Sequence, residues 1–272
     1  MAGHAVELMV SAADNVRILH ELNAAIAADR PVVLATIVAT RRSVPRHAGT
    51  KMLVFADGST IGTVGGGEME AKVVAEAQNA IGRGRPGLVD YELVNPSAGD
   101  PGICGGELTL YLEPYMPPHT VIVIGCGHVG RTVVDLAHWL GYRTVAIDDR
   151  PDLVSEEAMP NADVRFAGTV ADALAKHPAT EDSSIIVVTR SPELDVRILP
   201  ALLATPARYV GVMGSHKRWR ATRDQLVSDG VAEERLEQIH VPIGIDLNAE
   251  TLEEIAVSIL SEVIRENRTE GI

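Results

Sequence analysis

Three consecutive glycines mark one place where the backbone is expected to approach a ligand. Gly65, Gly66 and Gly67 follow a predicted strand that ends at Val64, and a helical pattern begins at Glu68. Adjacent glycines cost backbone entropy, so a close approach or a positive φ angle should require them. Because the first N–H groups of a helix also bind anions, the segment is predicted to hold an anionic ligand.

A single cysteine in a glycine-rich loop is the strongest candidate for chemistry at sulfur. Cys104 stands in the segment 101–107 with Gly102, Gly105 and Gly106, just before a predicted strand. A thiol in such an open loop is more accessible than a core cysteine, so it could act as thiolate, metal ligand or persulfide carrier. A small buried residue at a tight turn is the alternative, and spacing does not separate the two.

A second glycine-rich segment has the spacing of a dinucleotide-binding turn. Gly125, Gly127 and Gly130 follow the apolar strand 121–124 and open a helix, which is the context that gives GxGxxG its meaning. The first glycine permits the tight turn, the second lets a pyrophosphate approach, and the third lets the helix pack on the strand. The pattern predicts a nucleotide site, with a fold that has lost its ligand as the alternative.

The acid that usually binds a ribose hydroxyl in such folds is expected to be Asp148, at the end of the next strand. Asp148 disfavours a ribose 2′-phosphate, whereas the nearby Arg150 favours one, so the nucleotide stays open. Within the turn, Cys126 is expected to be a small buried residue. His128, at the helix start, either touches phosphate or substrate or faces solvent.

Two further segments carry positive or hydroxyl side chains. The turn 214–218 contains Ser215 and Lys217 at the start of a helix, which suits an anion, with Ser215 acting as an ordinary N-cap as the alternative. The loop 41–47 carries three arginines and a histidine, either as a clamp for a phosphate or oxyanion or as a solvated loop.

The elements that must position these residues form two domains. Three prolines in the segment 113–118 indicate a linker. The predicted fold is α/β, with a smaller N-terminal α/β domain over residues 1–116 that has a mixed sheet. Strand–helix alternation then predicts a C-terminal Rossmann-type domain over residues 117–272, with a doubly wound parallel sheet.

The composition of the chain disfavours two classes of binding partner. The 272 residues carry a formal net charge of -13 and only 3% aromatics, which disfavours nucleic acid and an anionic membrane surface as partners. No apolar run is long enough for a membrane helix, the first residues lack a signal-peptide pattern, and two cysteines make no disulfide framework. These features together predict a cytoplasmic protein.

Six segments in order resemble the XdhC/CoxI family of maturation factors for molybdenum hydroxylases such as xanthine dehydrogenase and aerobic CO dehydrogenase. Together they run along nearly the whole chain. The matching segments are 43–52, 65–70, 104–107, 125–129 with 148–151, 209–215 and 240–246.

The resemblance implies a cofactor chaperone more than a turnover enzyme. Such a protein binds the molybdenum cofactor, as molybdopterin or its cytosine dinucleotide, assists its sulfuration and passes it to an apo-hydroxylase, with a cysteine desulfurase as sulfur source. Cys104 would approach the molybdenum or its sulfur. The remaining implied contacts are backbone approach at Gly65, Gly66 and Gly67, nucleotide binding at Gly125, Gly127, Gly130 and Asp148, and phosphate binding at His128, Ser215 and Lys217. A homodimer is the expected assembly, since two-fold dimers are the commonest oligomers.

Two positions depart from the family pattern, and two rival functions stay open. After the strand 185–189, many members of the family carry a histidine-containing turn where this chain has Arg190, Ser191 and Pro192, and Gly67 stands where a cysteine is common. The first rival is an NAD(P)-dependent oxidoreductase, for which His128 and His240 are the acid–base candidates. The second rival is a nucleotide-binding regulatory protein without chemistry.

Overall fold

The structure is a computed structural model that describes residues 12–92 and 106–268, with side chains from residue 14 onward. The chain divides into two compact units, residues 1–117 and 118–272. Within the described ranges, no helix is long and apolar enough to cross a membrane.

The first unit contains one five-stranded sheet and two helices. The spatial order of its strands is β3-β2-β1-β5-β4. The elements are α1 (Ala12–Ala27), β1 (Val32–Arg41), β2 (Lys51–Phe55), β3 (Thr60–Gly62), α2 (Gly67–Arg83), β4 (Gly87–Glu92) and β5 (Glu107–Tyr115).

The sheet of the first unit is antiparallel throughout its described strands, so the expectation of a mixed sheet was wrong. The helix α2 links β3 to β4, and a helical crossover usually joins parallel strands of one sheet. The two strands do run in the same direction, but they lie at opposite edges of the sheet with three strands between them. The crossover therefore creates no parallel pairing.

The predicted linker also begins later than expected, because β5 continues to Tyr115. Pro114 pairs with Val33 of β1, although proline cannot donate a ladder hydrogen bond. It is accommodated because the pairing of β5 with β4 ends at Leu112, which leaves β5 with one neighbour at Pro114. The two faces of the sheet are buried differently: α2 packs on one and α1 on the other.

The second unit has the predicted strand–helix alternation. Its elements are β6 (Thr120–Ile124), α3 (His128–Trp139), β7 (Arg143–Asp148), a 3-10 turn (Pro151–Val154), β8 (Val164–Ala167), α4 (Val170–Lys176), β9 (Ser183–Val187), α5 (Pro192–Leu203), β10 (Tyr209–Val212), α6 (His216–Ser228), α7 (Glu233–Leu236) and α8 (Leu252–Arg268).

All strands of the second sheet are parallel, in the order β10-β9-β6-β7-β8. Alternate residues of β6 point to opposite faces, as the period of a strand requires. Val121 and Val123 enter a core with α3 and α8, whereas Ile122 and Ile124 enter a core with α4, α5 and α6. The sheet is therefore doubly wound, and the strand order reverses beside β6, where open α/β sheets bind ligands.

Candidate functional site

The turn from β6 into α3 shows a separate role for each of its glycines. Gly125 has a φ of +104°, and a Cβ there would lie 2.6 Å from the carbonyl oxygen of Val188. A Cβ at Gly130 would lie 1.9 Å from the carbonyl oxygen of Gly125. At Gly127, by contrast, a Cβ would meet nothing within 4 Å. Packing thus requires the first and third glycines, and the second leaves open space beside the backbone.

Two other side chains of this turn differ in exposure. Cys126 is 3% exposed, and burial raises the pKa of its thiol to about 12, so it stays protonated at neutral pH. This agrees with the expectation of a small buried residue. His128 is the first residue of α3, directly after the N-cap Gly127, and its side chain is exposed.

Asp148 lies at the end of β7 with both carboxylate oxygens already bonded inside the protein. One oxygen accepts hydrogen bonds from the backbone N–H and the Nε of Arg150, at 3.0 and 2.9 Å. The other accepts from the backbone N–H of Cys126 at 2.8 Å and from Nη2 of Arg150 at 3.0 Å. Burial alone would raise the pKa of Asp148, but the hydrogen bonds from Arg150 and Cys126 hold it below the usual value.

A cleft opens at this end of the sheet, beside Gly125 and Asp148. It lies beyond the carboxyl ends of β6, β7 and β9, where open α/β sheets bind ligands. Its charged side chains come from the ends of β7 and β9 and from α5, and its walls are aliphatic. The charged lining residues are Asp148, Asp149, Arg150, Arg190 and Arg197.

Arg190, which follows β9, forms a bidentate ion pair with Asp149. Its two terminal nitrogens lie 2.8 and 2.9 Å from the two oxygens of that carboxylate. The side-chain hydrogen bond from Arg190 is the largest cause of an Asp149 pKa well below the usual range. The turn after β9 therefore contributes a cation to the cleft.

A buried acid fixes the next part of the cleft wall. Asp195 on α5 is fully buried, and it accepts a hydrogen bond from the hydroxyl of Thr189. Nη2 of Arg218 lies 2.6 Å from the other oxygen of Asp195. Because Thr189 lines the cleft, this network holds the segment after β9 in place.

Ser215 and Lys217 lie at the start of α6, after β10. Ser215 is the N-cap of α6 and accepts a hydrogen bond from the backbone N–H of Arg218 at 3.2 Å, as the capping alternative predicted. Lys217 is exposed. Ser215 lines a second groove, formed with the segment 242–249, and the Asp148 cleft does not include it.

His240 is held by a buried carboxylate on the closing helix. Its Nδ1 lies 3.3 Å from Glu262, which also accepts hydrogen bonds from the Tyr209 hydroxyl and the Gly244 backbone N–H, both at 2.6 Å. Burial raises the pKa of Glu262, but the bonds from Tyr209 and Gly244 outweigh it and lower the pKa. Glu262 therefore ties the family-like segment 240–246 to α8.

In the first unit, the three-glycine turn carries its own carboxylate. The φ angles of Gly65, Gly66 and Gly67 are +150°, +79° and +67°, all in the range that favours glycine. Glu70 accepts hydrogen bonds from the backbone N–H of Gly66, at 3.1 Å, and from the Thr63 hydroxyl. One of the N–H groups at the start of α2 is thus already occupied by an acid.

The loop after β1 connects two of the segments singled out from the sequence. A Cβ at Gly65 would lie 3.0 Å from Pro45, and a Cβ at Gly106 would lie 2.1 Å from the carbonyl oxygen of Ser43. Both glycines are therefore needed for close packing against the same loop. Cys104 itself lies outside the described residues.

The arginines of this loop were predicted either to clamp an anion or to be solvated. Arg41 and Arg42 lie 3.8 and 3.6 Å from the carboxylate of Glu107, and their side chains are 82% and 69% exposed. Both arginine side chains are accessible to a ligand because they are exposed. Their ion pairs with Glu107 are weak, since exposed pairs of this kind contribute little to stability. Within residues 12–92 and 106–268, no group of three or more His, Cys, Asp or Glu residues could hold a metal ion.

Sequence reasoning missed several residues that shape the Asp148 cleft. Arg197 and Asp195 lie inside α5 and carried no motif. Arg190 was noted only for its difference from the family pattern, and the rule that ligands bind beyond the carboxyl ends of parallel strands could have identified it as a cleft residue.

Family models match both units of the chain. The XdhC Rossmann domain matches residues 121–263, and the XdhC and CoxI family model matches residues 25–92. A crystal structure of a xanthine dehydrogenase from Bacillus halodurans has a TM-score of 0.51 and 23% identity, covers 94% of this chain and 96% of that one, and thereby supports the fold.

Two Escherichia coli K12 proteins are similar in sequence. The chain is 32% identical to the uncharacterised protein YqeB over 238 residues, which are 86% of this chain and 43% of YqeB. It therefore spans less than half of that relative. It is 25% identical to the molybdenum cofactor insertion chaperone PaoD over 88% of this chain and 84% of PaoD. The Rossmann-domain match alone extends over more than half of the chain, which thus belongs to the XdhC and CoxI family.

Proposed function

We propose that this protein binds the molybdenum cofactor and serves the maturation of a molybdenum hydroxylase of the xanthine dehydrogenase or CO dehydrogenase type. The observation that carries the proposal is the likeness to PaoD, a molybdenum cofactor insertion chaperone, which extends over 88% of this chain and thus over both units.

The proposed role of the first unit is to hold the metal-bearing end of the cofactor. The turn at Gly66 has open space beside its backbone, because a Cβ there would meet nothing within 4 Å. The exposed Arg41 and Arg42 supply positive charge for an anionic ligand. In this proposal the thiol of Cys104 contacts the molybdenum or its sulfur and assists the exchange of an oxo ligand for sulfur.

The proposed role of the second unit is to hold the phosphate or nucleotide end. The backbone at Gly127 is unobstructed and directly precedes α3, so N–H groups at the start of this helix can bind a phosphate. His128 is exposed at the same helix start and is a further phosphate contact. Ser215 and Lys217 would serve a phosphate only from the second groove or the exposed face of α6.

The assembly that follows from this proposal has two protein partners. An apo-hydroxylase receives the cofactor, and a cysteine desulfurase supplies the sulfur, both in the cytoplasm. A homodimer is proposed for the chaperone itself, on the general ground that closed two-fold dimers are the commonest oligomers.

Cofactor binding provides the test. Purified protein is mixed anaerobically with isolated molybdenum cofactor, and bound molybdenum and pterin are measured after gel filtration for wild type, Cys104→Ser and Cys126→Ala. The Cys126 variant is the matched control, because burial keeps that thiol protonated and away from solvent. Stoichiometric binding that falls only in Cys104→Ser is the expected result.

Other outcomes separate the parts of the proposal. Binding that survives in Cys104→Ser would keep the chaperone function and remove the assignment of Cys104. No binding by wild type, together with hydride transfer between NAD(P) and a small metabolite, would replace the proposal with the oxidoreductase.

A further inference from the structure

The Asp148 cleft lacks the free acceptor that a ribose diol usually requires. An acid at the end of the second strand commonly accepts hydrogen bonds from ribose hydroxyls. Here each oxygen of Asp148 already accepts two hydrogen bonds, from Arg150 and from the Cys126 backbone. Since a carboxylate offers about four lone-pair sites, its capacity is filled.

Donors in the same cleft are more available. Arg150 uses Nε and Nη2 on Asp148, so its Nη1 remains for a ligand. Arg190 binds Asp149 through its terminal nitrogens, and its side chain is still 48% exposed. Arg197 lines the cleft and is exposed, and it forms no ion pair with any residue in the described ranges.

Charge favours an anion as well. The cleft contains three guanidinium groups and two carboxylates, which leaves one positive charge in a chain whose formal net charge is -13. The aliphatic wall formed by Val170, Leu194 and Ile198 suits the flat face of a base. The cleft therefore combines an apolar wall with a rim rich in donors.

We infer that the cleft selects a nucleotide whose ribose carries a phosphomonoester over the same nucleotide with a free hydroxyl. The phosphate accepts hydrogen bonds from Arg150, Arg190 and Arg197, and guanidinium groups match its geometry. This inference rests on the proposed nucleotide-binding role of the second unit, and it names the class of ligand.

Arg150 is the residue that sets this preference. It neutralises Asp148, whose charge would otherwise repel a phosphate, and it occupies the oxygens that a ribose hydroxyl would use. Replacing Arg150 with alanine exposes the acid, so the cleft should then favour the hydroxyl.

The test compares NADP⁺ with NAD⁺, which differ only in the 2′-phosphate. Binding of each to the full chain is measured by isothermal titration calorimetry in a phosphate-free buffer. We expect wild type to bind NADP⁺ about tenfold more tightly than NAD⁺ or better, since charge-assisted hydrogen bonds are the stronger class. Equal or tighter binding of NAD⁺ would overturn the inference but leave the nucleotide-binding role intact.

Variants locate the preference. Arg150→Ala should invert the preference, so that NAD⁺ binds more tightly than NADP⁺. Arg197→Ala should weaken the affinity for NADP⁺ about tenfold and leave the affinity for NAD⁺ unchanged. Arg220→Ala is the control, because it removes an equal charge from the exposed surface of α6. It should change the dissociation constant of neither NADP⁺ nor NAD⁺. If Arg150→Ala does not fold by circular dichroism, the exposed Arg197 variant decides: an unchanged NADP⁺ affinity overturns the inference.

Absence of binding by either nucleotide would overturn the inference. Binding of the molybdenum cofactor, measured separately, would still stand or fall on its own.

Discussion

The two glycine-rich turns look alike in sequence but differ in the acid that accepts a hydrogen bond from their backbone. Each leads from a strand into a helix, and in each an acidic side chain accepts a hydrogen bond from a backbone N–H. In the second unit that acid is Asp148, on the neighbouring strand, and it is paired with Arg150. In the first unit it is Glu70, one turn into the helix that the glycines open.

The comparison separates glycines needed for packing from glycines that leave room for a ligand. Gly125 and Gly130 have backbone atoms where a Cβ would stand, and Gly65 has the end of Met69 at 2.4 Å. Gly66 and Gly127 have open space. We propose that the glycines of the first group maintain the fold and that those of the second group leave space for the cofactor to contact the backbone.

The largest effect is expected for Gly130→Ala. Its Cβ would lie 1.9 Å from the carbonyl oxygen of Gly125, so the turn and α3 must separate. We expect a loss of about 3 kcal/mol in the free energy of unfolding, measured with urea. A stable variant with wild-type nucleotide binding would show that this contact does not define the turn.

An intermediate effect is expected for Gly66→Ala. No atom obstructs the Cβ, but the φ of +79° and ψ of 178° are accessible almost only to glycine. The strain should cost about 2 kcal/mol in urea unfolding. If Gly66→Ala loses less unfolding free energy than Gly127→Ala, the backbone conformation of Gly66 does not require glycine.

A pH-dependent effect is expected for Asp148→Asn. The native pKa of Asp148 lies below its usual 3.8, so its contribution is fully present above that pH and is lost as the pH falls through the native pKa. At neutral pH the variant should be about 2 kcal/mol less stable, because Arg150 loses its partner. Urea unfolding over an acid series should show the difference shrinking below pH 3.8. A constant difference would exclude the ion pair as its cause.

The smallest effect on stability is expected for Gly127→Ala. Its φ of -73° suits any residue, and its Cβ would meet nothing within 4 Å. Unfolding should change by less than about 0.5 kcal/mol, while affinity for a pyrophosphate ligand falls in calorimetry because the Cβ occupies the approach. Unchanged affinity would place the ligand elsewhere.

Local pattern was sufficient for much of the second unit. Most of its strands are short apolar runs followed by a helix, and the glycine spacing located the turn at Gly125. The first unit was harder, because the pairing of β1 with β5 joins segments far apart in sequence. A helix between β3 and β4 indicates their direction but not the three strands between them.

The hydrogen-bond and ion-pair partners of the site residues were less predictable than the positions of these residues in the fold. The spacing identified Asp148 as the acid beyond the second strand, but its saturation by Arg150 depends on side-chain conformation. The ion pair between Arg190 and Asp149 joins residues from two loops, and the Asp195–Arg218 pair joins two helices. Such long-range pairs have no local sequence period.

The central claim is that the protein delivers the molybdenum cofactor, and the most direct measurement is activation of an apo-hydroxylase. Purified apo-xanthine dehydrogenase is mixed anaerobically with equal amounts of sulfurated cofactor, either free or loaded on this protein, and the appearance of activity is followed. We expect faster and more complete activation from the loaded protein, and less from protein carrying Gly66→Ala or Gly127→Ala. Activation by free cofactor that equals activation by the loaded protein would contradict the account.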